Sequence, residues 1–174
     1  MDENYPPVED VRSPTPYLWQ VARARRFFRR YWYARDGATA FDGDTFNDIE
    51  DLMWAFFQNA WHIKDWIKND PTIAEEVKRA VVTDVHATES LLLCADLANG
   101  SKHFGTAPAR DKIGANDQAI ELSHGADGRV ITDHVIVTGN DQRLTAIELA
   151  RWVLMDWHAI LVRHHLLDPS SPVI

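Results

Sequence analysis

Apolar residues recur every three or four positions through most of this chain, which is the periodicity of amphipathic helices. In the first periodic segment they stand at i, i+4, i+7, i+11 and i+14 and therefore share one helix face: Tyr17, Val21, Ala24, Phe28 and Tyr31. The glycine of "RDG" at 35–37 predicts the end of this helix. Residues 1–16 hold four of the eight prolines and show no periodicity, so we expect an extended N-terminal arm there.

A second helix is predicted to begin near Asp44, whose carboxylate suits a helix N-terminus. Its apolar stripe consists of Ile49, Leu52, Met53, Phe56, Ala60, Ile63 and Ile67. The helix should end before Pro71, because the residue preceding a proline avoids the helical region. Pro71 is then predicted to open a third helix that continues to Ala98 or His103.

The remainder of the chain predicts a hairpin and a last helix. Two β-rich runs flank the Asp-Gly turn of "GADG", which indicates a β-hairpin at about 118–138. Leu144, Ile147, Leu154 and Leu161 are core positions of the last helix, and an irregular tail follows over 169–174. We therefore predict a mainly α protein, a four-helix bundle with an inserted β-hairpin before the last helix, in a single domain over 17–168. The predicted core includes Phe28, Phe56, Ile63, Leu92 and Leu154.

Composition restricts the environment and the partners. The 174 residues carry a net charge of −8, which disfavours nonspecific binding of nucleic acid or anionic membrane over the whole surface. No apolar run approaches the roughly 20 residues that span a bilayer, and the acidic, proline-rich first residues do not resemble a signal peptide. The single cysteine, Cys94, lies in an apolar run and predicts a buried thiol in a reducing compartment. We expect a cytoplasmic protein without a membrane partner.

Arginines are concentrated in the first helix. Six of the 18 basic residues lie there: Arg23, Arg25, Arg26, Arg29, Arg30 and Arg35. The helical projection puts Arg26 and Arg30, together with Arg23, on the face away from the core stripe. Such a cluster in an acidic protein is a candidate ligand-binding surface for phosphate groups. The alternative is a solvated face paired with the acidic residues of "DGDTFNDIED".

Two histidine-containing clusters are candidate sites. Asp96, Asn99 and His103 stand at i, i+3 and i+7, with Lys102 beside them. They predict either a helix C-cap or a polar pocket that binds phosphate and positions His103 as a catalytic group. In the second helix, His62 follows Asn59 at i+3 and is either a histidine satisfied at a helix interface or a catalytic one.

Metal ligation is a further alternative. His86 and Glu89 have metal-ligand spacing, and His158, His164 and His165 lie near the end of the last helix. The di-metal bundle pattern, however, is a Glu followed three residues later by His, given twice. Here the order is reversed and occurs once, so we predict no metal site and no cofactor.

The segments "WHIKDW" and "DLANGSKHF", within a small four-helix domain, resemble the HEPN superfamily of prokaryotic helical bundles over residues 44–104. The resemblance implies a metal-free ribonuclease that works as a homodimer, or an inactive relative, in a defence or toxin–antitoxin system. In such enzymes an arginine stabilises the phosphate and a histidine moves the proton of the attacking 2′-hydroxyl. The Arg-to-His spacing of the family fits Arg79 and His86, and also Arg129 and His134 within the predicted hairpin.

Three classes of function therefore stay open. The first is the HEPN-like ribonuclease or inactive relative, with RNA as the partner and with His62, Arg79, His86 and His103 as the candidate catalytic residues. The second is a non-enzymatic interaction module whose seven tryptophans supply a protein interface. The third is a metal-binding bundle.

Overall fold

The computed structural model describes residues 15–37, 43–100, 113–124, 130–138 and 142–172. These residues form helices and a small sheet in the following order: α1 (Pro16–Gly37), α2 (Gly43–Asn69), α3 (Glu75–Ala87), α4 (Glu89–Gly100), β1 (Ile113–His124), β2 (Val130–Thr138), β3 (Arg143–Thr145) and α5 (Ala146–Arg163). The prediction of a mainly α protein with a β-hairpin before the last helix is confirmed.

The core lies between α1 and α2 and extends to α4 and α5. Phe28 of α1 meets Phe56 of α2 edge to face, with 5.8 Å between the ring centroids, and Phe56 meets Phe57 in the same way. Four of the five predicted core residues are buried, whereas Leu92 is only partly buried on α4. The apolar stripes therefore indicate correctly which faces of α1, α2 and α5 pack together.

The start of α3 differs from the prediction. Pro71 lies in a turn, and the helix begins at Glu75. The buried Asp70 carboxylate accepts hydrogen bonds from the backbone N–H and the hydroxyl of Thr72, at 2.9 and 2.6 Å. The N–H of Ile73 donates to the Asp70 carbonyl, which closes the turn. This local bonding delays the helix by one turn.

The predicted third helix is in fact two helices, because the chain is extended at Thr88 (φ −98°, ψ 117°). The Thr88 hydroxyl donates to the Asp84 carbonyl, and the Thr88 N–H donates to the Val85 carbonyl. The Thr88 carbonyl in turn accepts from the N–H of Leu92 at the start of α4. One residue therefore closes α3 and opens α4, and the described residues form five helices where the sequence predicts four.

The sheet has the order β1-β2-β3, with antiparallel pairing throughout. The hairpin is longer than predicted, and its turn over 125–129 lies outside the described residues. Leu144 belongs to the short strand β3, whereas the sequence pattern predicts it within the last helix. Thr145 is the N-cap of α5: its hydroxyl accepts from the N–H of Glu148, and the Glu148 carboxylate accepts from the N–H of Thr145.

The structure tests only part of the predictions about the N-terminal arm and about the membrane. Residues 1–14 of the predicted N-terminal arm lie outside the described ranges. Among the helices that the structure describes, none combines the length and the apolar character that crossing a membrane requires.

The carboxylate of Asp84 joins α3 to the end of α5. His164 Nε2 lies 2.9 Å from Asp84 Oδ2, and Arg163 Nη1 donates to the same oxygen at 2.8 Å. The hydrogen bond with His164 lowers the pKa of Asp84, and Arg163 lowers it further against the opposing effect of burial.

We therefore expect Asp84→Asn to lower the free energy of unfolding by about 1 kcal/mol at neutral pH. Because the folded pKa is depressed, this stabilisation is present above the unfolded pKa of about 4 and disappears as the pH falls through the folded value. Urea unfolding at a series of pH values measures it. Asp51→Asn, at an exposed position of α2, is the control. An Asp84 effect that persists undiminished at about pH 2 would contradict this account.

Candidate functional site

One side of α1 is buried and the opposite side is exposed. The inward positions are the apolar stripe predicted from the sequence, from Tyr17 to Tyr31. The outward positions follow the same helical spacing, and the side chains of Trp19 and Tyr33 are 46% and 56% exposed. We call these exposed residues the outer face of α1: Trp19, Arg23, Arg26, Arg30 and Tyr33.

The arginines of this face have few partners within the protein. The guanidinium of Arg23 lies 5.8 Å from the ring centroid of Trp66, a cation–π contact with α2. The guanidinium groups of Arg26 and Arg30 form no hydrogen bond or ion pair with any other residue that the structure describes. Their donors therefore face solvent and are available to a ligand.

Two more arginines lie on the flank of the same helix. Arg25 and Arg29 are partly buried, one turn apart, and form no ion pair with another described residue. Burial lowers the pKa of Arg25, and the neighbouring charge of Arg29 lowers it further. An anion bound beside these two arginines would reduce the repulsion between their like charges.

The alternative interpretation pairs these arginines with the acidic residues at the start of α2. In the described part of that segment, the Glu50 carboxylate accepts from the indole N–H of Trp54 at 3.2 Å. Asp48 and Asp51 form no ion pair with an arginine of α1. Among the described residues, the arginine of α1 that does form ion pairs is Arg35, with Asp36 and Asp133. The acidic side chains of this segment that the structure describes, Asp48, Glu50 and Asp51, therefore form no ion pair with the outer face of α1.

The candidate catalytic pair of α3 lies on another helix of the bundle. Arg79 and His86 are both exposed and stand two helical turns apart, a rise of about 10 Å. The ring of His86 meets Trp61 of α2 edge to face at 6.1 Å, and Lys64 Nζ lies 4.4 Å from the centroid of the same indole. His62 follows Trp61 on α2 and is partly buried. His86 therefore approaches the helix that carries His62, through Trp61.

The histidine cluster at the end of α4 is described only in part. Asp96 is partly buried and Asn99 is exposed, one turn apart, whereas Lys102 and His103 lie outside the described residues. Cys94 is buried in the same helix, and its thiol donates to the carbonyl of Phe57 at 3.4 Å. Complete burial raises the pKa of this thiol and so disfavours the nucleophilic thiolate form.

Three further candidates from the sequence receive little support: the pair Arg129 and His134, a metal site, and a tryptophan-rich surface. In that pair His134 is buried in β2, where burial lowers its pKa, and Arg129 lies outside the described ranges. Within those ranges no group of three or more His, Cys, Asp or Glu residues is arranged to hold a metal ion. The expected tryptophan-rich surface is reduced to Trp19 and Trp152, because the other five indoles are buried or partly buried.

The sequence pattern indicates the arginines but not the aromatic residues that accompany them. Tyr33 does not stand out in it, and Trp19 is one tryptophan among seven. Both nevertheless stand at helical spacing from the arginines, Trp19 four residues before Arg23 and Tyr33 three residues after Arg30. The periodicity that identifies the core stripe, applied to the opposite face of the helix, includes them.

Comparison of this chain with protein-family models, with curated proteins and with solved structures gives no match. The functional interpretation therefore depends on the residues themselves.

Proposed function

We propose that this protein binds single-stranded RNA along the outer face of α1. The observation that carries the proposal is a row of three exposed arginines between two exposed aromatic side chains on one helix face. The face combines the two components of single-strand recognition, which are cations for the phosphates and flat rings for the bases.

The arginines supply the phosphate contacts. Arg23, Arg26 and Arg30 extend over about 10 Å of the helix axis, and a guanidinium binds a phosphate through two parallel hydrogen bonds. No ion pair with another described residue has to be broken at Arg26 or Arg30 before a phosphate binds. The partly buried Arg25 and Arg29 add positive charge at the edge of the face. Counterion release should then dominate the affinity.

The aromatic residues supply the base contacts. Trp19 and Tyr33 bound the arginine row, about 21 Å apart along the axis. Unpaired bases stack on such rings irrespective of their sequence, typically for about 1–3 kcal/mol each. The net charge of −8 repels nucleic acid from the remainder of the surface and so favours this face.

An acidic protein is the competing partner, because Trp, Tyr and Arg are also common at protein interfaces. RNA is favoured because the centre of this face is charged, whereas the centre of a protein interface is depleted of charge and more apolar. The ribonuclease activity that the HEPN resemblance implies stays a prediction. Its candidates Arg79 and His86 belong to α3, whose main contacts are with α2, α4 and α5.

Fluorescence anisotropy with a labelled single-stranded RNA of about ten nucleotides tests the proposal. We expect a dissociation constant in the micromolar range at low salt and at least about a tenfold loss of affinity between 50 and 200 mM salt. Trp19→Ala should weaken binding by about 5- to 100-fold through the lost stacking. Trp152→Ala, which removes a similarly exposed indole from α5, should leave the affinity unchanged.

A poly-glutamate peptide of the same length is the control for charge alone. Equal affinity for this peptide and for the RNA would identify the face as a site for acidic proteins and contradict the proposal. Absence of RNA binding at low salt would contradict it as well.

A further inference from the structure

The last helix carries a second exposed face, which is independent of α1. Its buried side packs into the core through nine residues from Ala146 to Leu161. On the opposite side, the side chains of Trp152 and Met155 are 49% and 52% exposed. We call the exposed row at spacings of three or four the outer face of α5: Glu148, Trp152, Met155, Ala159 and Arg163.

The outer face of α5 is apolar in its middle and oppositely charged at its ends. The spacings of four, three, four and four residues keep it on one side of the helix, as in the seam of a helix pair. Two large apolar side chains are exposed next to a small one, Ala159. Isolated exposed apolar residues are common, but a large indole and a thioether together on one face indicate a contact surface.

We infer that this face binds the same face of a second copy, with the two α5 helices antiparallel across a two-fold axis. The sequence is self-complementary in that arrangement. Trp152 of one copy lies over the small Ala159 of the other, and Glu148 faces Arg163. In each pair, the midpoint of the two sequence positions falls between Met155 and Asp156. A single two-fold axis at that point therefore brings both pairs into contact.

The charges at the ends of the face are available for this pairing. Glu148 is exposed and uses Oε2 for the bonds with Thr145, so Oε1 is open to a partner. Arg163 donates to Asp84 through Nη1, and its side chain is 63% exposed. Each chain carries a net charge of −8, and the contact involves one helix face, so we expect a weak, concentration-dependent dimer.

Sedimentation equilibrium of the full chain tests this inference. The mean mass should rise from the 19.9 kDa of one chain toward twice that value as the concentration increases from about 10 to 500 μM. Trp152→Ser and, separately, Ala159→Arg should hold the protein at the mass of one chain. Trp19→Ala is the matched control, because it removes an equally exposed indole from α1, and it should dimerise like the wild type.

Two results would overturn the inference. One is a wild-type mass that stays at 19.9 kDa over the whole range. The other is a dimer that forms equally well in Trp152→Ser and Ala159→Arg, which would locate the contact elsewhere. Circular dichroism spectra verify that both variants retain the helical content of the wild type. The inference does not depend on RNA binding, since the two faces lie on different helices and respond to different substitutions.

Discussion

Reversing two charges on the outer face of α1, by Arg26→Glu with Arg30→Glu, is expected to weaken binding of single-stranded RNA at least about 100-fold. Each substitution removes a charged hydrogen-bonding partner worth about 1.5–3 kcal/mol and replaces it with a repelling carboxylate. The slope of log affinity against log salt should become shallower by about 0.7 for each phosphate that no longer binds an arginine. Anisotropy titrations between 50 and 200 mM salt give both quantities.

The control for this prediction is Arg151→Glu, a reversal at an exposed arginine of α5 that alters the net charge of the chain by half as much. It should leave the salt slope unchanged. The double variant should also unfold like the wild type, because Arg26 and Arg30 are exposed and form no ion pair with a described residue. A double variant that binds RNA within about twofold of the wild type would exclude the outer face of α1 as the binding surface.

A large decrease in the free energy of unfolding is expected when the ion pair between α1 and strand β2 of the hairpin is broken. Arg35 Nε and Nη2 donate to the two carboxylate oxygens of Asp133, at 2.5 and 2.9 Å, and the two side chains are only 14% and 15% exposed. Burial lowers the pKa of Arg35, but the bonding to Asp133 outweighs it and the net shift is upward. We expect Asp133→Ala to lower the free energy of unfolding by about 2 kcal/mol, because the partly buried Arg35 cation loses two charged hydrogen bonds and keeps, among its described partners, only the one to Asp36.

The matched variant is Arg35→Met with Asp133→Leu, which replaces both partners with apolar side chains of similar size. It should recover most of the lost stability, since replacing a buried ion pair with packed apolar groups is often neutral. Denaturant unfolding measures both variants. A loss below about 0.5 kcal/mol in Asp133→Ala would mean that the pair contributes no more than a surface salt bridge.

The sequence predicts the helices of this fold well because burial repeats with the helical period. The stripe from Tyr17 to Tyr31 and the stripe from Ile49 to Ile67 have the spacing that the structure shows. The breaks are less predictable, because they depend on single hydrogen bonds. The Thr88 hydroxyl bonds the Asp84 carbonyl, and the Asp70 carboxylate bonds Thr72, at positions where periodicity alone continues the helix.

For the candidate site too, some features can be predicted from the sequence and others depend on tertiary structure. The arginines of α1 are visible in the sequence as a cluster, and their position opposite Phe28 follows from the helical period. That Arg26 and Arg30 lack a carboxylate partner among the described residues depends on tertiary structure, because the acidic start of α2 is near them in sequence. The exposure of Trp152 and Met155 depends on which side of α5 the bundle covers, which local pattern alone does not specify.

Ultraviolet cross-linking of the bound single-stranded RNA, followed by mass spectrometry of the cross-linked peptides, identifies directly the residues that the RNA contacts. We expect cross-links at Trp19 and Tyr33, the two rings at the ends of the arginine row of α1. The experiment is done at a concentration where the chain is a monomer, so that Trp152 on α5 is as exposed as Trp19; Trp152 should give no cross-link and is the internal control for accessibility. Cross-links at Trp152 instead of Trp19 and Tyr33, or no cross-link anywhere on α1, would contradict RNA binding on the outer face of α1.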